Sequence, residues 1–135
     1  MQIKEYKIVL IGDKKIGKTS FLNRLNTTFV LNTEYIPTLG VDITPISIRC
    51  NSNKIRINFW DTAGDSRYLG LKDKYYIESD LAIIFKKNNS SNHLIFEDKL
   101  PNDIKKFYIN NYNINYPEYS TQEYKDIIYN ILINN

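Results

Sequence analysis

The sequence predicts an α/β domain of three layers, with a mostly parallel sheet between helices. Three observations predict it. The run Tyr6-Lys7-Ile8-Val9-Leu10-Ile11 is apolar enough for a strand buried on both faces. It runs directly into Gly12-Asp13-Lys14-Lys15-Ile16-Gly17-Lys18-Thr19, a complete G-x-x-x-x-G-K-T loop, and a helical stretch follows from Thr19 to Leu25. A second apolar run bounded by polar residues, Leu81–Phe85, reads as another buried strand.

Lys4–Ile11 is the first strand and Lys18–Asn26 the first helix. Thr27–Gly40 reads as loop, with Pro37 and Gly40 as breakers. Val41–Cys50 and Lys54–Asp61 alternate apolar and polar residues around the turn-forming Asn51-Ser52-Asn53, the pattern of an antiparallel hairpin. Pro45 places its strand at a sheet edge or a bulge, because proline has no N–H for a ladder. Thr62–Lys74 holds Gly64 and Gly70 and reads as a loop followed by a short helix. After Leu81–Phe85 comes a polar loop, Lys86–Asn92, then a helix predicted over Asn102–Asn111, just after Pro101. The last helix is Thr121–Ile133, opened by a Ser120/Glu123 capping box, with Tyr124, Ile127, Ile128, Ile131 and Leu132 on one face.

The 135 residues suffice for one domain with a real core, and the net charge of +3 is too mild and too dispersed for a nucleic-acid surface. Cys50 is the only cysteine, so no intrachain disulfide forms and an intracellular setting, cytoplasm or nucleus, is expected. No stretch reaches membrane-spanning length, and the C-terminal Ile131-Leu132-Ile133-Asn134-Asn135 offers no cysteine for a lipid anchor. No His/Cys cluster supports a zinc site and no Ser/His/Asp set supports hydrolase chemistry; His93 reads as a solvated residue. Cys50 reads as a small core residue and Trp60 as packing.

The chemistry concentrates in three places. The N–H groups of the glycine loop and the positive end of the following helix bind phosphate; Lys18 reaches the β- and γ-phosphates and the Thr19 hydroxyl ligates Mg²⁺. In Trp60-Asp61-Thr62-Ala63-Gly64, Asp61 ends a strand and holds Mg²⁺ through a water, while glycine lets the Gly64 backbone approach a γ-phosphate oxygen. In Tyr35-Ile36-Pro37-Thr38-Leu39-Gly40, the Thr38 hydroxyl completes the metal shell when a γ-phosphate is present.

In this order and spacing the motifs resemble those of the Ras-superfamily small GTPases. The segments Thr38-Leu39-Gly40-Val41-Asp42, Gly70-Leu71-Lys72-Asp73-Lys74-Tyr75-Tyr76-Ile77 and Ala82-Ile83-Ile84-Phe85 are most similar to the Ran branch. The resemblance runs from about Lys7 to about Phe85, within one G domain spanning residues 1–135, and leaves residues 86–135 as a divergent, shortened helical tail. It implies GTP or GDP as the bound nucleotide, with Mg²⁺ as cofactor. It implies that residues 29–40 and 61–76 are the switch regions, and that Lys14, Lys15, Ile16, Ser20 and Tyr35 line the nucleotide with Phe29 edge-on to its base. It further implies importin-type receptors or exchange and activating proteins as partners, in nuclear transport, without a membrane anchor.

Three departures stand out. Asp65 occupies the position at which the family carries the Gln that orients the attacking water, so hydrolysis is expected to be slow or absent. Lys14 and Lys15 replace two glycines of Ran-like loops, near the approach of a partner's arginine. The Asn-Lys-x-Asp and Ser-Ala-Lys motifs that read guanine are missing from residues 86–135, and the chain is too short for the family's usual last strands and helices. The alternative function these losses suggest is a mimic that binds transport receptors regardless of nucleotide. A nucleotide-unspecific hydrolase that also accepts ATP is the third. Shortening also predicts that Leu81–Phe85 is an apolar edge in need of cover, for which Tyr108–Tyr124 is the candidate.

Overall fold

The computed structural model describes residues 3–12, 17–26, 34–36, 41–61, 76–87, 100–113 and 115–134, residues 35 and 36 by their backbone alone. Among them are six strands and two helices: β1 (Glu5–Ile11), α1 (Lys18–Leu25), β2 (Glu34–Ile36), β3 (Val41–Cys50), β4 (Asn53–Asp61), β5 (Leu81–Lys86), β6 (Lys105–Asn110) and α2 (Thr121–Ile133). The strands form one mixed sheet in the order β2-β3-β4-β1-β5-β6. β1 pairs in parallel with β4 on one side and β5 on the other, and β5 pairs in parallel with β6.

The central strands explain their own sequences. Ile8, Val9, Leu10 and Ile11 of β1, and Leu81 to Phe85 of β5, are each at most 1% exposed, because side chains on both faces of these strands are covered. Alternation divides them between two cores. Ile8, Leu10, Leu81, Ile83 and Phe85 join the layer under α1 and α2. Val9, Ile11, Ala82 and Ile84 join a second cluster with Val41, Tyr76 and Leu100. This is the expected shortened α/β fold, with a sheet buried on both sides.

The hairpin is placed as the alternation predicts. Cys50 pairs with Asn53, leaving Asn51 and Ser52 as a two-residue turn, and Asn51 takes the left-handed φ of 58° that this residue type tolerates. Pro45 faces Asn58 in β4, while β2 spans only the stretch of β3 from Val41 to Ile43, so among the described residues Pro45 lies where β3 is an edge. The short β2 falls within the stretch expected to be loop. It is held by three register pairs to β3 rather than by any strong pattern of its own.

The tail corrects one expectation. Residues 102–111 do not form a helix: Asn102 and Asp103 turn, and Lys105–Asn110 extends as β6. Within it Phe107 and Ile109 are the more buried residues and Lys106, Tyr108 and Asn110 the exposed ones, a period of two. The physical cause is the neighbouring strand. β5 offers an apolar edge, and pairing from Leu81↔Lys105 to Lys86↔Asn110 satisfies its backbone groups as no helix does. The apolar edge of Leu81–Phe85 is thus covered by the tail as expected, though the covering strand starts at Lys105, before the expected Tyr108–Tyr124, and β6 is the outer strand.

The second helix forms with its capping box intact: the Glu123 N–H donates to Ser120 Oγ and the Ser120 N–H to Glu123 Oε1, both at 3.1 Å. Its buried stripe is Tyr124, Lys125, Ile128, Tyr129 and Leu132, turned from the expected one so that Ile127 and Ile131 are only half-buried. At the other end Lys105 Nζ donates to the Ile131 carbonyl at 2.8 Å and to the Asn134 carbonyl, placing a positive charge at the negative end of α2. The eight-residue α1 is too short to persist alone; burial of Phe21, Leu22 and Leu25, about 2 kcal/mol each, holds it on the sheet.

Candidate functional site

β1 ends at Ile11, and the chain re-enters at Gly17, whose φ of 109° and ψ of 11° lie in the left-handed region. Only glycine takes this conformation without strain, and here there is also no room for more: a Cβ on Gly17 would stand 2.9 Å from a ring carbon of Tyr112. The Phe21 N–H donates to the Gly17 carbonyl at 2.9 Å, closing the first turn of α1. The N-cap, Gly17, makes no side-chain cap and no acidic residue lies in the first turn of α1, so the helix itself adds no negative charge to its positive end.

Lys18 is buried beneath that turn, at 4% exposure. Its Nζ donates to the Gly12 carbonyl at 2.8 Å and lies 3.3 Å from Asp61 Oδ1. Asp61, 5% exposed, is the last residue of β4, and the parallel register sets Leu10 of β1 beside it. The sheet thus delivers the ammonium and the carboxylate to one place, at the carboxyl ends of two adjacent parallel strands, where ligands of such sheets bind. A buried ammonium held by a carboxylate and a carbonyl at that position is a group preorganised for a polyanion. Thr19 is exposed and Ser20 half-buried in the same turn.

Asp42 stands directly across from Asp61 in the antiparallel register. Burial first, and the Asp61 charge second, push the Asp42 carboxyl above the usual carboxylate range. A positive charge arriving between them is favoured, since it stabilises both ionised forms. Among the described residues no group of three or more His, Cys, Asp or Glu gathers for a metal.

Of the residues expected at the site, Gly12, Gly17, Lys18, Thr19, Ser20 and Asp61 are described and come together at the strand ends. Tyr35 lies in β2, where only its backbone is described. Asp13, Lys14, Lys15, Ile16, Phe29, Thr38, Gly64 and Asp65 lie outside the described residues, as does His93. Trp60 packs as expected, half-buried against the second core with Lys7 Nζ 3.8 Å from its ring centroid, and Cys50 is half-buried against the first.

Sequence reasoning does not anticipate one neighbour of the site. Tyr112 packs against Gly17 and stands edge-on to Phe21 and Phe85, with ring centroids 5.7 and 6.1 Å apart. Tyr124 of α2 meets Phe21 at 5.2 Å, so an aromatic cluster links the loop glycine to the tail helix. Its sequence signal is the alternation in Lys105–Asn110: once that segment is a parallel strand, residues 110–113 necessarily leave it at the carboxyl edge of the sheet.

The family model described as "Ras of Complex, Roc, domain of DAPkinase" matches residues 7–115, from β1 through the glycine loop, the hairpin and β6. That span covers most of the chain and includes the strand that follows the region of Ran-like resemblance. The chain belongs to the Roc family of Ras-like GTPase domains.

Proposed function

We propose that this chain is a nucleotide switch that binds GTP and GDP with Mg²⁺ and signals through residues 29–40 and 61–76. The observation that carries the reading is Lys18, buried at the start of α1 between the Gly12 carbonyl and Asp61. A triphosphate brings several negative oxygens to this ammonium and to the N–H groups at the start of α1. The donors fit Mg²⁺, a hard cation that takes few protein oxygens and keeps several waters: the Thr19 hydroxyl, Asp61 through water, and Thr38. When bound, Mg²⁺ neutralises charge on the β- and γ-oxygens. Lys18 then holds the phosphates, Gly17 lets the backbone approach them, and Asp61 orients the metal's water.

Turnover is slow on this reading. Asp65 carries an acceptor-only carboxylate in place of an amide that both accepts from and donates to the attacking water. Replacing Asp65 by Gln is expected to raise single-turnover GTP hydrolysis by roughly tenfold or more. An unchanged rate contradicts the role given to that position.

The Ran-like segments around Thr38 and Gly70–Ile77 support partners of the importin type, engaged in the GTP state, in the cytoplasm or nucleus. Capture of such a receptor by GTP-loaded but not GDP-loaded protein tests this. Capture indifferent to nucleotide favours the alternative, a receptor-binding mimic, which the missing guanine-reading motifs motivate.

A further inference from the structure

Lys18 and Asp61 gather at the carboxyl ends of the strands, but another lysine lines a cavity nearer the amino end of β1. The cavity, of about 430 Å³, opens beside β1 and β4, and Lys7, Trp60, Ile77, Glu78 and Asp80 are among its walls. Alternation puts the amine there: Lys7 and Val9 share one face of β1, and Val9 is fully buried in the second core while Lys7 reaches the cavity.

The Lys7 side chain is held in place. Its Nζ donates to the Ile77 carbonyl at 2.8 Å and lies 3.8 Å from the centroid of the Trp60 ring. The backbone brings that carbonyl to it. The Lys7 N–H donates to Asp80 Oδ2 and the Asp80 N–H to the Lys7 carbonyl, both at 2.8 Å, so the turn from Ile77 to Asp80 is fastened to β1 at this residue. Burial lowers the Lys7 ammonium to about 8, although Glu78 and Asp80 pull the other way. At neutral pH roughly a tenth of it is then neutral amine, against well under a thousandth for an ordinary lysine. The bond to Ile77 and the contact with the ring both use N–H groups, and neither consumes the lone pair of that neutral form.

We infer that the Lys7 amine is a modification site for small neutral aldehydes, taken up as a Schiff base with the apolar tail against Trp60 and Ile77. The lone pair adds to the aldehyde carbon, the oxygen gains a proton, and the carbinolamine loses water; with one proton from solvent the product is an iminium. The surroundings select this chemistry. An iminium keeps the positive charge that the Trp60 ring and the Glu78 and Asp80 carboxylates favour, whereas an acyl group abolishes it. Aldehydes that carry a carboxylate or phosphate meet those same carboxylates and Glu5, which Arg56 Nε neutralises only in part from 3.5 Å. The volume lies within the range of small-molecule sites, and Ile77, 54% exposed, leaves an apolar side chain for the tail to cover.

The test treats the full chain at neutral pH with hexanal and sodium cyanoborohydride, which reduces the iminium to a stable amine, and reads the modified lysines by peptide mass mapping. Lys7 is expected to react at least about tenfold faster than Lys54, an exposed lysine of the hairpin. Ile77→Ser changes an exposed residue and is expected to lower the hexanal-to-acetaldehyde rate ratio at Lys7 by about threefold or more. With glyoxylate, an anionic aldehyde, the preference for Lys7 over Lys54 is expected to fall by about threefold or more. Equal labelling of Lys7 and Lys54 by hexanal overturns the site. A rate ratio unmoved by Ile77→Ser overturns the placement of the tail, and glyoxylate selecting Lys7 as strongly as hexanal overturns the restriction to neutral aldehydes.

Discussion

Asp61→Asn removes the charge facing Lys18 while keeping the side chain's shape. At 3.3 Å, and with both groups about nine-tenths or more buried, the pair interacts by about 5 kcal/mol at an effective dielectric constant of about 20. Much of that offsets the cost of taking both charges out of water, so the informative quantity is what happens when one partner is lost. Lys18 then keeps the Gly12 carbonyl but loses the carboxylate charge that faces it. The expected loss is about 3 kcal/mol in the nucleotide-free protein. Lys18→Met costs a similar amount, but the double variant costs less than the sum, by about 2 kcal/mol or more. Urea unfolding of the four proteins in nucleotide-free buffer closes the cycle. Additivity within about 0.5 kcal/mol, or a single-variant loss below that, refutes the view that this pair is the charged centre of the site.

Other perturbations probe the tail and the sheet. Lys105→Met removes the charge at the carboxyl end of α2 and is expected to lower stability by about 1–2 kcal/mol in thermal unfolding; an unchanged melting temperature contradicts the role of this contact. Ser120→Ala breaks the capping box at the other end and should cost about 1 kcal/mol by the same measurement. Lys7 supplies a pH test: burial lowers its ammonium to about 8 despite Glu78 and Asp80, while the unfolded chain titrates at its ordinary value of 10.5. Between those values the unfolded state binds more protons, so stability rises with pH. Wild-type stability should gain on that of Lys7→Met from pH 8 towards 10, below the range where Tyr76, pushed up to about 12 by burial, acts in the opposite sense. Parallel curves for the two proteins contradict this assignment.

The parts of the fold legible in the sequence are those where one local pattern has one physical meaning. The unbroken apolar runs of β1 and β5 follow from burial on two faces. The β3–β4 alternation fixes a hairpin, and the Ser120/Glu123 spacing fixes the start of α2. The placement of Gly17, Lys18 and Asp61 at the strand ends is legible because the G-x-x-x-x-G-K-T pattern after an apolar strand, and an Asp closing the hairpin's second strand, put them there. Lys105–Asn110 is not, because Lys, Phe, Tyr and Ile are compatible with either element and the decision comes from the waiting edge of β5. The three-residue β2 depends wholly on its partner. Tyr112 beside Gly17 is hidden for the same reason as β6, since the contact joins residues far apart in the chain that meet only once the strand is set.

The proposed function rests on the buried Lys18 at the start of α1 holding a nucleoside triphosphate. The decisive measurement is calorimetric titration with Mg²⁺–GTP, on wild type and on Lys18→Ala. Wild type is expected to bind one equivalent with a Kd in the micromolar range or tighter, and Lys18→Ala to weaken it by roughly a hundredfold or more. Wild-type protein that is folded and yet gives no heat at roughly 1 mM nucleotide, or a Lys18→Ala variant that binds as well as wild type, contradicts it.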